Sequence, residues 1–128
     1  MPKKILHIVD SAYRATIEEQ DDTVIWFTHA MKGAGADVAV LLRGNAVNYA
    51  LEGQNASGLA FGARKQTQPP TLDADVAKLA SKGVEVLADE FSLRERGIKS
   101  ASLIPEVKSA ALDVVLDHME QGRKVLWH

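Results

Sequence analysis

The chain contains no cysteine. That excludes a disulfide framework, a thiolate nucleophile, a cysteine persulfide and any zinc–cysteine centre. Nor does one sign of charge dominate: 15 basic and 17 acidic residues leave a formal net charge of -2. This balance offers no electrostatic case for binding a nucleic-acid backbone. No apolar run approaches the length of a membrane span. The opening Met1-Pro2-Lys3-Lys4 is basic, but the apolar stretch behind it carries His7 and ends at Asp10. It is too short and too polar for the core of a signal peptide. A cytoplasmic location, with no membrane and no nucleic-acid partner, is expected by elimination.

Recognisable catalytic and metal motifs are also missing. His7, His29, His118 and His128 share no metal-ligand spacing, and Ser11 lies outside any Gly-x-Ser-x-Gly elbow. His7 in an apolar run and His118 on a helix face read as core or boundary histidines. Gly33-Ala34-Gly35 follows a helix and precedes a strand, the reverse of a dinucleotide-binding turn, and reads as a helix stop. No metal and no cofactor are expected.

What is present is the pattern of one α/β domain spanning residues 1–128, 46% apolar and 25% charged. Four apolar, β-branched runs read as buried strands: Ile5–Val9, Val38–Leu42, Val84–Ala88 and Lys124–Trp127. Near-continuous apolar strands suit a parallel sheet covered on both faces. Between them lie helical patterns. Val24, Phe27, Thr28 and Met31 form one stripe, with Asp21 and Asp22 at its positive end and Gly33 and Gly35 as its stop. A short helix is expected over Asn45–Glu52. Another starts near Thr71, with Leu72, Val76 and Leu79 on one face and Gly83 at its end. A last helix is expected from Pro105, burying Val107, Ala111, Val114 and His118 and stopping at Gly122. This alternation predicts a three-layer, doubly wound, mainly parallel sheet with helices on both faces. Trp26 is a candidate interface residue, Trp127 is expected to pack inside the sheet, and Glu18–Asp22 reads as a solvated helix start.

The segment from Gly53 to Pro70 breaks the alternation. It is rich in Gly, Gln, Ser and Ala, holds Arg64 and Lys65, and ends in Pro69-Pro70. A long connection of this kind serves assembly or partner binding, or is an idle loop.

Ligands of open parallel sheets bind beyond the carboxyl ends of the strands. Here those ends carry Asp10-Ser11 with Tyr13 and Arg14 beyond, Arg43-Gly44-Asn45, and Asp89-Glu90. The candidate pocket is therefore Asp10, Ser11, Tyr13, Arg43, Asn45, Asp89 and Glu90. Strand ends are also polar for purely structural reasons, because turns need such residues. Asp89-Glu90 is open to two readings, an acid/base pair or a cap on the following helix. Gly44-Asn45 follows a strand and opens a helix, so its amides are candidates for holding an anion.

Taken together these segments resemble the DsrE/DsrF/DsrH-like family over nearly the whole chain. Lys4-Ile5-Leu6-His7-Ile8-Val9 fits its first strand, and Gly33 to Val40 its helix-to-strand passage. Arg43-Gly44-Asn45-Ala46-Val47 is similar to a turn of the family. Val84 to Ile98 is the most telling stretch: a strand, a position commonly held by cysteine, then a short Ser-Leu-x-x-Arg-Gly-hydrophobic helix. Gly122 to Trp127 fits the final strand. The resemblance implies a cytoplasmic DsrE-like scaffold forming homotrimers, homohexamers or mixed assemblies with a related subunit, connected with sulfur oxidation or relay. The cysteine position is Asp89 in this chain. A carboxylate forms no persulfide, so sulfur transfer does not carry over. The expected role is a non-catalytic oligomeric subunit. A small-ligand, nucleotide or anion binder using the strand-end crevice is the alternative, and an enzyme using Asp89 or Glu90 as base is a third reading.

Overall fold

A computed structural model describes residues 3–12, 22–53, 60–65 and 71–128, with the backbone alone at 60, 61, 64 and 65. Five strands form the main sheet: β1 (Lys4–Val9), β2 (Asp37–Leu42), β5 (Glu85–Asp89), β6 (Lys108–Ala110) and β7 (Lys124–Trp127). β3 (Ala60–Phe61) and β4 (Arg64–Lys65) make a small antiparallel hairpin. The helices are α1 (Thr23–Gly33), α2 (Leu72–Ser81), α3 (Glu90–Glu95) and α4 (Val114–Glu120). Tight 3₁₀ turns occupy Gly44–Ala50 and Ser100–Ser102.

The sheet order is β6-β5-β2-β1-β7, and every pairing in it is parallel. From β1 the chain steps outward through β2 and β5 to β6, then returns across the sheet to β7. Right-handed crossovers in opposite directions put their connections on opposite faces. The core divides accordingly. Val9, Val40, Leu42, Val86 and Ala88 pack beneath Val24 and Ile25 of α1, Leu72, Val76 and Leu79 of α2, and the 44–50 turn. Leu6, Ile8, Ala39, Leu41 and Leu87 form a smaller cluster on the other face, with Val114 and Val115 of α4 against it. The three-layer α/β architecture expected from the alternation is present. Among the described residues no helix is long and apolar enough to cross a membrane.

Several local expectations need correction. The helix predicted from Pro105 is a strand, β6, followed by a helix that starts only at Val114. The spacing of Val107, Ala111, Val114 and His118 mimics a helix, but Ala111 is exposed. β6 exists because Lys108, Ser109 and Ala110 pair with Leu87, Ala88 and Asp89, a contact invisible to local periodicity. The Asn45–Glu52 helix is a 3₁₀ turn over Gly44–Ala50. Asp22 is not solvated: it is wholly buried. Its Oδ1 accepts from the amides of Val24 and Ile25, and its Oδ2 accepts from the Tyr49 hydroxyl at 2.6 Å. Glu18 to Asp21 lie outside the described residues, as do Arg14, Pro69, Pro70 and the side chains of Arg64 and Lys65. Trp127 does not pack inside; it is 56% exposed. It stands at the end of an edge strand.

At the opposite end of the sheet, Arg123 ties three strands together. Its Nη1 donates to the carbonyls of Ile5 (3.2 Å) and Asp37 (2.7 Å), and its Nη2 to Asp37 Oδ1 (2.8 Å). This hydrogen bond holds the Asp37 carboxyl below its ordinary pKa. Removing the guanidinium removes all three of these hydrogen bonds, one of them to a carboxylate. Arg123→Ala is expected to lower stability by about 2 kcal/mol, measured as a shift in urea midpoint. Arg123→Lys, which keeps the charge but not the planar fork, should recover only part of the loss.

Candidate functional site

The polar strand ends are set by the sheet's own hydrogen bonds. Arg43 N donates to Val9 O, His128 N to Ile8 O and Asp10 N to His128 O, at 2.8–2.9 Å. The parallel ladder thus runs one residue past the strands, which fixes where Asp10, Arg43 and Trp127 emerge. Alternation along the strands puts all three on the α4 side of the sheet.

There they form one group. Arg43 Nη1 lies 3.7 Å from Asp10 Oδ2, its guanidinium sits 5.3 Å from the centre of the Trp127 ring, and the indole N–H approaches Asp10 Oδ2 at 3.4 Å. Both charged side chains are about one-third exposed, so the ion pair contributes less than ~1 kcal/mol. Its importance is positional: it keeps a guanidinium flat on an aromatic plane, a favourable cation–π arrangement.

A second group lies beside it. Asp89 is buried and caps α3, with Oδ2 accepting from the amide of Ser92 (3.1 Å) and from its hydroxyl (2.6 Å). The Ser92 oxygen in turn accepts from Gly44 N at 3.0 Å. Gly44 has φ +55°, and a β-carbon there would collide with Asp10 Oδ1. A residue without a side chain lets the end of β2 meet the end of β1. Asn45 is exposed, and its Oδ1 accepts from Arg96 Nη2 at 2.9 Å.

The expected pocket is therefore brought together only in part. Asp10 meets Arg43 directly, and Gly44 links them to Asp89, whose role is the helix cap. Asn45 is turned to Arg96. Ser11 and Glu90 are exposed, with no interaction shown at the crevice, and Tyr13 lies outside the described residues. The Gly44 amide is already occupied by Ser92, and the 3₁₀ turn it opens has only 7 residues. Sequence reasoning missed Ser92, Arg96 and Trp127. Ser92 takes its place as the residue whose amide a capping aspartate accepts from; Arg96 and Trp127 reach the site through space.

The core readings of two histidines hold. His7 and His118 are buried, and His118 Nε2 lies 3.0 Å from Glu85 Oε1. Among the described residues no group of three or more His, Asp or Glu is placed to hold a metal ion.

Two changes test this geometry. Asp89→Ala removes the α3 cap and the acceptor of Ser92 and should cost about 1–2 kcal/mol in chemical denaturation. Gly44→Ala should cost more than ~1 kcal/mol, from its positive φ and from the clash. In an Asp10→Ala background the same change should cost less, because the steric part is relieved.

The family model described as "DsrE/DsrF-like family" matches residues 3–128. Among solved structures the chain is similar to the ychN protein from E. coli, with 20% identity, full coverage of both chains and a TM-score of 0.73. It is also similar to MTH1491 from Methanobacterium thermoautotrophicum, titled a protein of unknown function, with 14% identity, 98% and 99% coverage and a TM-score of 0.66. At these identities the two structures bear on the fold. No curated protein matches the chain.

Proposed function

The chain belongs to the DsrE/DsrF-like family, and from that premise we propose that it is a non-catalytic, oligomeric component linked to intracellular sulfur metabolism, acting as a structural, regulatory or partner-binding subunit. The observation that carries this reading is Asp89. It ends β5, where the resemblance puts a cysteine, and its carboxylate is engaged in capping α3. No other residue supplies a thiol.

Assembly is supported by apolar surface. Trp26 on α1 is 60% exposed, and Leu116 and Met119 on α4 are 61% and 54% exposed. Exposed apolar groups clustered on one short helix are a feature of interaction surfaces. The reading includes a homotrimer, a homohexamer or a mixed oligomer with a related subunit, in the cytoplasm, without cofactor, nucleic acid or membrane.

Light scattering coupled to size exclusion tests it. The expected mass is that of three or six chains. Leu116→Glu with Met119→Glu should shift the population towards smaller species while circular dichroism stays unchanged. A stable monomer that recruits no related subunit overturns the reading.

The alternative, a binder of small anions or nucleotides, is favoured by one observation. The Arg43 guanidinium lies on Trp127 at the open strand end, and its Nε is buried without a hydrogen-bond partner among the described residues. A thermal-shift panel of nucleotides and small anions should then give a stabilisation that Arg43→Gln abolishes. A flat panel counts against it.

A further inference from the structure

The fold buries one imidazole against another. His7, in the middle of β1, is wholly inaccessible to solvent, and its Nδ1 lies 2.7 Å from Nε2 of His128. Its own Nε2 lies 3.2 Å from the Met31 sulfur. A thioether accepts and cannot donate, so the His7 proton sits on Nε2. Nδ1 is then the acceptor, and His128 donates to it through Nε2–H. The edge of Phe27 closes another side, at 5.9 Å between ring centres.

The remaining neighbours on this face are apolar: Val40 is the register partner on β2 and Leu126 the partner on β7. The elements packed here also carry Lys4, Asp37 and Lys124, and His29 and Lys32 on α1. Among the described residues the titratable group in contact with the His7 ring is His128. A first proton taken by His128 leaves the hydrogen bond intact, because an imidazolium still donates through Nε2. A second proton must go to His7 Nδ1. That destroys the acceptor and sets two cations side by side in a desolvated place.

We propose that the His7–His128 pair is a proton-sensitive latch that fastens the carboxyl end of β7 to β1 and thereby sets whether Trp127 stacks on Arg43. β7 is an edge strand, and its last bonds to β1 are His128 N to Ile8 O and Asp10 N to His128 O. Trp127 immediately precedes His128 and points to the opposite face. Displacing His128 therefore carries the indole away from Arg43 and Asp10.

The direction with pH follows from linkage. Burial first, and the charge on His128 second, lower the His7 pKa from 6.5 to about 4. The closed latch binds fewer protons than the open one. It is fully favoured above about pH 6.5 and is lost progressively as pH falls towards 4. At pH 5 the open-to-closed ratio is about twenty-fold higher than at neutral pH.

Amide hydrogen exchange by NMR tests this, with rates at pH 7 and pH 5 converted to protection factors. Protection of the Asp10 and His128 amides should fall tenfold or more at pH 5, while Val40 and Leu41 in the sheet centre keep theirs. In His7→Gln, whose amide oxygen still accepts from His128, that pH dependence should vanish. Unchanged protection in the wild type, or an equal loss in the variant, overturns the latch. Should His7→Gln fail to fold, the wild-type imidazole resonances decide. A neutral Nε2–H tautomer whose titration midpoint lies below about 5.5 supports the proposal; an ordinary midpoint near 6.5 overturns it.

Discussion

The site depends on a chain of three hydrogen-bonding groups. The Asp89 carboxylate holds the Ser92 hydroxyl, and Ser92 holds the amide of Gly44. A parallel sheet leaves every strand end to be terminated separately, and each termination exposes peptide groups that must find partners. Here one buried carboxylate starts α3 and, through Ser92, fixes the exit from β2. Gly44 then brings that exit against Asp10 at the end of β1. Three strand ends are located relative to one another by one acid, one hydroxyl and one missing side chain.

The same economy explains why a carboxylate suits the position that resemblance assigns to a thiol. The last residue of β5 is also the cap of α3, where an oxygen acceptor satisfies free amides and a negative charge suits the dipole. Asp89 meets both demands. The site's remaining chemistry is that of charge and aromatic surface, with Arg43 and Trp127 facing outward. The two faces of the sheet differ correspondingly. The larger cluster is roofed by α1, α2 and the 44–50 turn, whereas α4 is short and turns Leu116 and Met119 outward.

Where local chemistry was sufficient, residues announced their roles. Val38 to Leu42 could hardly be anything but a buried strand, since five consecutive apolar residues have no solvent face. Asp89, at the end of an apolar run and just before a helical stretch, is where a cap is expected. β6 escaped because its three residues are polar or small, and only pairing with β5 makes them a strand. Asp22 looked solvated within an acidic stretch, yet it is buried because two amides and the Tyr49 hydroxyl replace its water.

The sequence by itself determined the class of the fold, four of the five strands of the main sheet and the absence of thiol chemistry, because each follows from composition or from periodicity within a few residues. Tertiary structure alone decided that Trp127 covers Arg43, that Asn45 turns to Arg96, and that His7 meets His128 across 121 positions of chain. These contacts join residues whose local patterns say nothing of one another. They exist only because the return crossover lays β7 beside β1, so the order of the strands had to be known before the site could be.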